Sequence, residues 1–435
     1  MKKIYTLITG SCLLAASATQ LNAQCAGGRY HDFVFPAADV TSNITYGSNT
    51  TFSGSTQALK LDVYQPQGDT ASLRPLIVWA HPGSFVGGSK ADAEMVKICT
   101  DFAKLGYVTA SIDYRLFMTD LPFPGPDSND AGAAVMRAVH DGRAAVRYFR
   151  KDVVENSNSY KIDTNNIYFG GISAGGFIAL HLGYMDQWSE FPTYIDTTGT
   201  TSGSVTGQKG LHGGIEGLSG NQGYSSKVKA IINLSGAISD TAWIDQGDIP
   251  LISTHATGDG TVPYGTSLIY LSPPNTYPIQ VVDGSASVAA RANEVGITNC
   301  FRTYYVNEHV AEAEVPFYDT TVSLVRTFLE HFMCGTAMDC NFTAKVTGIN
   351  DVAAKDASIN VYPNPATAAF TVDLKEFNGK NVSIEVYDAL GRSVKTANNI
   401  KTSSYTINRD NLPKGMYSVN ILTEGRVYSK KVMFE

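Results

Sequence analysis

The stretch that decides the fold runs from Ile167 to Leu182 and reads IYFGGISAGGFIALHL. Its apolar beginning predicts a short buried strand, and its apolar end predicts a helix. Between them the pattern Gly-x-Ser-x-Gly, from Gly171 to Gly175, makes a sharp turn that lifts the hydroxyl of Ser173 out of the sheet. A side chain at either glycine would collide with the neighbouring strand or helix. Because the pattern also arises by chance, its interpretation depends on the rest of the chain.

Length and composition are those of an ordinary globular protein. The chain has 435 residues, of which 43% are apolar and 17% are charged, which allows one large domain and one small one. Its net charge of −7 and its lack of a basic cluster argue against nucleic acid as a partner.

Residues 1–23 are typical of a signal peptide. Lysines at positions 2 and 3 precede an apolar run from Ile4 to Ala18, and we expect cleavage after Ala23. A lipoprotein anchor at Cys25 is the alternative, but Gln24 stands before it instead of a small residue. No other segment has the roughly 18 uninterrupted apolar residues of a membrane span. The sequence therefore predicts export through the periplasm without a membrane span.

Export determines whether the cysteines can form disulfides. Five cysteines remain after cleavage: Cys25, Cys99, Cys300, Cys334 and Cys340. An oxidising compartment permits disulfides, and an odd number leaves at least one thiol free or paired between chains. Cys334 and Cys340 flank a short loop and form a local candidate pair, with Cys25 as an alternative partner for either. No Cys or His cluster has metal-ligand spacing, so we expect no metal site.

Predicted strands alternate with predicted helices along the first three quarters of the chain. Leu59–Tyr64 alternates in polarity as a half-buried edge strand would, whereas Leu76–Ala80 is continuously apolar. This alternation favours a mostly parallel sheet with helices on both faces, with reactive groups at the carboxyl ends of the strands. The further predicted strands are Tyr107–Ile112, Ile167–Gly170, Lys229–Leu234, Leu251–His255 and Phe301–Val306, and the other predicted helices are Ala91–Lys104, Asp130–Arg150 and Thr320–Met333.

The loop His81–Phe85 directly follows the buried strand that ends at Ala80. Attack of a serine on a carbonyl builds negative charge on oxygen, which backbone N–H groups can stabilise. We assign this role to the N–H groups of Gly83, Ser84 and Ala174. An ordinary strand-end turn, fixed by a hydrogen bond of the histidine, is the alternative interpretation.

Two further strand ends carry residues that could assist Ser173. Asp259 lies in the turn after the strand at Leu251–His255, and His309 lies just past the strand at Phe301–Val306. The histidine would take the proton of Ser173, and the aspartate would hold the histidine. His331, in the last helix, is the weaker candidate for the base, and His255 is a neighbour of Asp259.

These motifs together resemble the α/β-hydrolases of the carboxylesterase and hormone-sensitive-lipase-like group, over about Leu59 to Met333. One departure is Pro82, where that group typically has glycine; another is the weakly marked histidine segment. The resemblance implies hydrolysis of carboxylic esters without a cofactor. The matching segments are His81–Phe85, Ser111–Leu116, Gly171–Gly176 and Gly258–Pro263.

The hypothesis that follows is a secreted serine esterase that forms an acyl-enzyme. The alternatives are a catalytically inactive hydrolase fold used for binding at the cell surface, and a serine peptidase on the same fold. Phe85 and Tyr264 are candidates for lining the substrate pocket or for simple packing. Thr197–Ser226 is long and rich in Gly, Ser and Thr, and is a candidate lid or a passive insertion.

The last part of the chain differs in character. We place the catalytic domain at 24–342, a linker at 343–355 and a small all-β sandwich at 356–435. Its motifs resemble the C-terminal sorting domain of type IX secretion cargo, which implies that the secretion machinery is a partner and that the product is released or attached to the cell surface. A carbohydrate-binding sandwich is the alternative. The motifs are Tyr362–Pro365, Val386–Asp388 with Gly391–Arg392, Leu412–Tyr417 and Lys430–Val432.

Overall fold

The computed structural model describes residues 25–116, 128–191, 211–271, 277–338, 340, 359–377, 380, 382–388, 393–423 and 426–435. The chain divides into two compact units, Met1–Phe342 and Thr343–Glu435. The predicted signal peptide and the predicted linker lie outside the described residues.

The first unit is an α/β-hydrolase fold around an eight-stranded sheet. The described strands of this unit, of which β7, β9 and β10 lie outside the large sheet, are β1 (Ala38–Thr50), β2 (Thr56–Pro66), β3 (Arg74–Ala80), β4 (Val108–Ile112), β5 (Ile162–Ile172), β6 (Ile231–Leu234), β7 (Ala237–Ile238), β8 (Leu251–Ala256), β9 (Thr266–Leu271), β10 (Tyr277–Gly284) and β11 (Asn299–Tyr304). The large sheet has the order β1-β2-β4-β3-β5-β6-β8-β11. Only the pairings of β2 with β1 and β4 are antiparallel in it.

Five α-helices among the described residues cover the two faces of this sheet. They are α1 (Ala93–Leu105), α2 (Ser128–Glu155), α3 (Ala174–Tyr184), α4 (Ser285–Glu294) and α5 (Tyr318–Cys334). Buried side chains of α2, α3 and α4 share one apolar core, and those of α1 and α5 share another. The sheet is therefore buried on both sides, as the continuously apolar strand β3 predicts.

The prediction that Leu59–Tyr64 is an edge strand is wrong. β1 pairs with β2 on the outside, and Leu61, Asp62, Val63 and Tyr64 are all buried. β1 escapes prediction because most of its residues are exposed and polar, so it has no apolar period.

A small second sheet of the order β7-β10-β9 was also not expected. Its hairpin, β9 and β10, follows the turn that carries Asp259. Asp283 of β10 connects the hairpin to the segment after β7. Its carboxylate accepts hydrogen bonds from the backbone N–H and the hydroxyl of Thr241 at 2.8 and 3.0 Å. The hairpin is thus anchored at its base.

The structure corrects the expected local disulfide between Cys334 and Cys340. Cys25 pairs with Cys334, which is one of the alternatives, and Cys300 pairs with Cys340. Cys99 is free and buried, which is one of the two outcomes expected for an odd number of cysteines. Both bridges fasten the last helix and the segment after it to the rest of the unit.

The described half of the candidate lid is firmly packed on α2. Residues 197–210 lie outside the described residues, but Glu216 forms ion pairs with Arg143 and Arg147 at 3.0 and 2.7 Å. Ser219 donates a hydrogen bond of 2.5 Å to Asp141, whose carboxylate also forms a buried ion pair with Arg115. The segment 211–226 is therefore part of the body of the unit.

The second unit is all β, as predicted. Two antiparallel sheets of the order β12-β13-β16 and β15-β14-β17-β18 share one apolar core. The C-terminal strands are β12 (Val361–Tyr362), β13 (Ala369–Asp373), β14 (Val382–Tyr387), β15 (Ser393–Ile400), β16 (Ser404–Asn408), β17 (Gly415–Thr423) and β18 (Arg426–Phe434).

Removing a disulfide should lower the stability of the first unit. We expect the double substitution Cys25→Ser and Cys334→Ser to reduce the free energy of unfolding by about 2–4 kcal/mol, because this bridge closes a long loop in the unfolded chain. Denaturant unfolding of residues 24–342 within the full chain, followed by tryptophan fluorescence, measures the change. Cys99→Ala, which leaves both bridges intact, should respond to reducing agent as the wild type does; equal stability of the double variant and the wild type would contradict the prediction.

Candidate active site

The sharp turn at Ser173 follows β5 and opens α3. Ser173 has φ 53° and ψ −115°, which a serine rarely adopts. A Cβ on Gly171 would lie 2.0 Å from the carbonyl carbon of Gly175, and one on Gly175 would lie 2.0 Å from the carbonyl oxygen of Ala80. The N–H of Ser173 donates to the carbonyl of Leu234 at 2.8 Å. The ends of three strands, β3, β5 and β6, and the start of α3 thus meet so closely that they hold the serine at the carboxyl end of the sheet.

The structure brings Ser173, His309 and Asp259 into one hydrogen-bonded chain. Nε2 of His309 lies 2.8 Å from Oγ of Ser173, and Nδ1 lies 2.7 Å from Oδ2 of Asp259. Because an ionised carboxylate only accepts, Nδ1 carries the proton and Nε2 is left to accept the proton of the serine. This is the arrangement in which an imidazole can act as a general base toward a hydroxyl.

The side chain of Asp259 is fully buried and is surrounded by donors. Its Oδ1 accepts the backbone N–H groups of Thr261 and Val262 at 2.8 and 3.0 Å, and Oδ2 lies 3.3 Å from Nε2 of His255. Burial tends to raise the pKa of Asp259, but hydrogen bonds from His255 and His309 and the charge on His309 hold it well below its usual range. Asp259 is therefore ionised at neutral pH.

His255 is a buried neighbour that supports Asp259, as its position at the strand end predicts. Its Nδ1 lies 2.7 Å from the hydroxyl of Ser285, the first residue of α4. Ser285 in turn accepts a hydrogen bond from the side-chain amide of Asn233 at 2.9 Å. This row of polar groups holds the imidazole of His255 against the carboxylate.

The loop after β3 presents backbone donors beside the serine. Among the described residues, the N–H groups of Gly83, Ser84 and Ala174 have no acceptor. Ser84 and Ala174 line the same cavity as Ser173, whereas Gly83 is not part of that lining. Ala174 also begins α3, where the helix dipole favours negative charge. These donors suit an oxygen that becomes negative during a reaction at Ser173.

His81 fixes this loop from behind. Its Nδ1 donates to the carbonyl of Pro82 at 2.6 Å, its ring stacks on Tyr114 at 4.2 Å, and the Tyr114 hydroxyl donates to the carbonyl of His81 at 2.9 Å. Burial lowers the pKa of His81, so the ring is neutral. His81 therefore fixes the turn by a hydrogen bond, as the alternative interpretation of this loop expects. The loop nevertheless also carries backbone N–H groups without an acceptor among the described residues.

A narrow apolar cavity of about 60 Å³ opens at Ser173. The described lining carries no charged side chain. The sequence indicated Phe85 as a lining residue, but the wall formed by the β9–β10 hairpin was missed, because its strands are short and interrupted by proline and polar residues. The apolar lining comprises Phe85, Ala131, Val135, Phe177, Val262, Ile269, Ile279 and Val282.

Two residues considered from the sequence lie elsewhere. His331, on α5, places its Nδ1 2.6 Å from the carbonyl of Thr336 at the end of that helix. Tyr264 packs against His255 and Phe301, and its hydroxyl lies 2.7 Å from that of Thr303. His309, and not His331, is the histidine beside Ser173.

Over the part of the chain that the structure describes, no three His, Cys, Asp or Glu side chains are grouped as ligands of a metal ion. None of the described helices is both long and apolar enough to cross a membrane.

Two family models match the chain. Residues 61–239 match the BD-FAE model, and residues 360–435 match the model of the secretion system C-terminal sorting domain. The first match covers the strand ends that carry Ser84 and Ser173. The chain thus combines an esterase-like α/β-hydrolase domain with a type IX sorting domain, and it is exported, to be secreted or attached to the cell surface.

The chain is also similar to individual proteins. It is 31% identical over 78 residues to an ulvan lyase of Nonlabens ulvanivorans, and this match spans 18% of the chain and only 14% of that lyase. Among solved structures it is similar to native esterase 2 of Thermogutta terrifontis, with 18% identity, a TM-score of 0.44 and coverage of 69% of this chain and 94% of that one. The butyrate-bound form of that esterase has 18% identity and a TM-score of 0.46, with coverage of 69% and 95%.

The close contacts at the turn predict that Gly175→Ala is strongly destabilising. The new Cβ would overlap the carbonyl of Ala80, which is backbone and cannot move aside, so we expect a loss of about 3 kcal/mol or more. Gly87→Ala is the matched control, because a Cβ there meets nothing within 4 Å, and it should change stability by less than about 1 kcal/mol. Thermal unfolding of both variants tests this, and similar melting temperatures would contradict it.

Proposed function

We propose that this protein is an exported serine esterase that hydrolyses carboxylic esters through an acyl-enzyme on Ser173. The observation that carries the proposal is the hydrogen-bonded chain from Ser173 through His309 to Asp259, beside the free N–H groups of Ser84 and Ala174. A peptidase or a binding protein on the same fold is the outcome if esters are not hydrolysed.

Acylation begins with the hydroxyl of Ser173. His309 takes its proton at Nε2 while Oγ bonds to the ester carbonyl carbon, and the carbonyl oxygen gains a negative charge. The N–H groups of Ser84 and Ala174 stabilise that oxygen, together with Gly83 if the loop closes on it. Asp259 stabilises the imidazolium of His309. When the C–O bond to the alcohol breaks, His309 returns the proton to the leaving oxygen.

Deacylation repeats the sequence with water. His309 takes a proton from water, whose oxygen bonds to the acyl carbon, and the same donors hold the second oxyanion. The bond to Oγ then breaks, Ser173 regains its proton from His309, and the free acid leaves. The reaction consumes one ester and one water, and His309 carries out every proton transfer.

The cavity suggests which acyl groups fit. Its described lining is mostly apolar and carries no charged side chain, so a charged acyl group would lose its hydration without finding an opposite charge. Its small volume favours short acyl groups over long chains. We therefore propose short, neutral acyl esters as substrates, with the type IX secretion machinery as the partner during export.

Substitutions should separate the proposed base from its alternative. We expect Ser173→Ala and His309→Ala to lower kcat for p-nitrophenyl butyrate by at least about 10³-fold, because each removes a group on which proton transfer depends. His331→Ala is the control and should keep nearly full activity, since its ring lies at the end of α5. Full activity of a folded Ser173→Ala or His309→Ala protein would refute the proposed mechanism.

Charge on the acyl group should matter more than length alone. We expect kcat/KM for p-nitrophenyl hemisuccinate to be at least about 100-fold below that for p-nitrophenyl butyrate, because burial of the distal carboxylate costs several kcal/mol. p-Nitrophenyl acetate is the control, because its acyl group ends one carbon beyond the carbonyl and its hydrolysis therefore measures the activity of the catalytic residues alone. Equal kcat/KM values for the charged and the neutral ester would contradict an apolar acyl site.

A further inference from the structure

The β9–β10 hairpin has an irregularity in its pairing beside the cavity. Tyr270 pairs with Pro278 and Ile269 pairs with Gln280, so Ile279 is one residue more than β9 can match. Such a β-bulge interrupts the alternation of side chains along its strand and re-aims a side chain, and bulges are common next to active sites. The bulge therefore changes which residues of β10 face the cavity.

The burial of residues along β10 shows which side chains face the cavity. Val282 is 1% exposed and lines the cavity, whereas Val281 is 57% exposed and is not part of the lining. Side chains two positions apart on a strand share a face, so Gln280 lies on the same face as Val282. Ile279 packs on the apolar core and also lines the cavity. The bulge thus brings two consecutive side chains, one apolar and one an amide, into the same wall.

The amide of Gln280 differs from the other polar groups of the described lining. Ser84, Ser173 and Thr261 belong to the loop after β3, the turn before α3 and the turn after β8, which carry the groups of the proposed reaction. Tyr270, the other polar hairpin residue of the lining, is exposed. Gln280 is partly buried, and its side chain has no hydrogen-bond partner among the described residues. An uncharged donor and acceptor is therefore available in a wall that is otherwise apolar.

A bound acyl group decides whether this amide keeps its hydrogen bonds. Water satisfies a partly buried amide in a free site, and a group that fills the site displaces that water. If the acyl group is purely apolar, the amide of Gln280 loses a partner, which costs free energy. A hydroxyl restores the balance, because it can accept from the amide N–H or donate to the amide oxygen. A carboxylate can only accept, and it finds no opposite charge in the described lining.

We propose that Gln280 is a specificity-determining residue whose amide binds a neutral hydroxyl on the acyl group of the substrate. This inference rests on the function proposed above, and it narrows the short, neutral acyl esters to hydroxyacyl esters. In this arrangement Ile269, Ile279 and Val282 surround the carbon chain, while the amide between them on the same wall binds the hydroxyl.

The test compares two esters of nearly equal shape, p-nitrophenyl 3-hydroxybutyrate and p-nitrophenyl 3-methylbutyrate, in which a methyl group replaces the hydroxyl. Gln280→Met keeps the length of the side chain and removes the amide. We expect the ratio of kcat/KM for the hydroxy ester to that for the methyl ester to fall about tenfold in Gln280→Met, because a hydrogen bond between uncharged groups is lost. kcat/KM for the methyl ester itself should stay the same or rise, whereas partial unfolding would lower both values alike.

Gln246→Met is the matched control, because it makes the same exchange at an exposed residue outside the lining of the cavity. It should leave the ratio unchanged. An unchanged ratio in Gln280→Met, an equal fall for both esters, or the same fall in Gln246→Met would overturn the inference. If the wild type hydrolyses p-nitrophenyl butyrate and Ser173→Ala does not, any of these results overturns the role of Gln280 and leaves the proposed function intact.

Discussion

The fit of four backbone segments around Ser173 is the constraint on which the rest of the first unit depends. The end of β5, the end of β3 and the start of α3 approach each other until no Cβ can be placed at Gly171 or Gly175, and the end of β6 accepts the N–H of Ser173 beside them. The strained backbone of Ser173 is kept in place by this packing and by its hydrogen bond to Leu234. This packing therefore determines the positions of the Ser173 hydroxyl, the N–H of Ala174 and the entrance of the cavity at the same time.

The electrostatics of the site are built around that fixed serine. Asp259 is buried yet ionised, because two backbone N–H groups and two imidazoles satisfy it.

Sequence patterns predicted what depends on local order. The continuously apolar β3, the strand and helix around Ser173, and the positions of Asp259 and His309 after successive strands were all indicated by residue type and spacing. Contacts between distant segments could not be predicted in this way. Cys25 and Cys334 are 309 residues apart in the sequence. Most residues of β1 are exposed and polar. The apolar side chains of the β9–β10 hairpin are recognised as a cavity wall only once the hairpin lies beside Ser173.

The proposed reaction requires His309 and Asp259 to make Ser173 a nucleophile. Its most direct test is covalent labelling with diisopropyl fluorophosphate, which captures an activated serine, followed by peptide mapping with mass spectrometry. We expect one adduct per chain, on the peptide that contains Ser173, and labelling that is lost or greatly slowed in His309→Ala but not in His331→Ala. Absence of an adduct on the folded wild-type protein, or an adduct on a different residue, would contradict it.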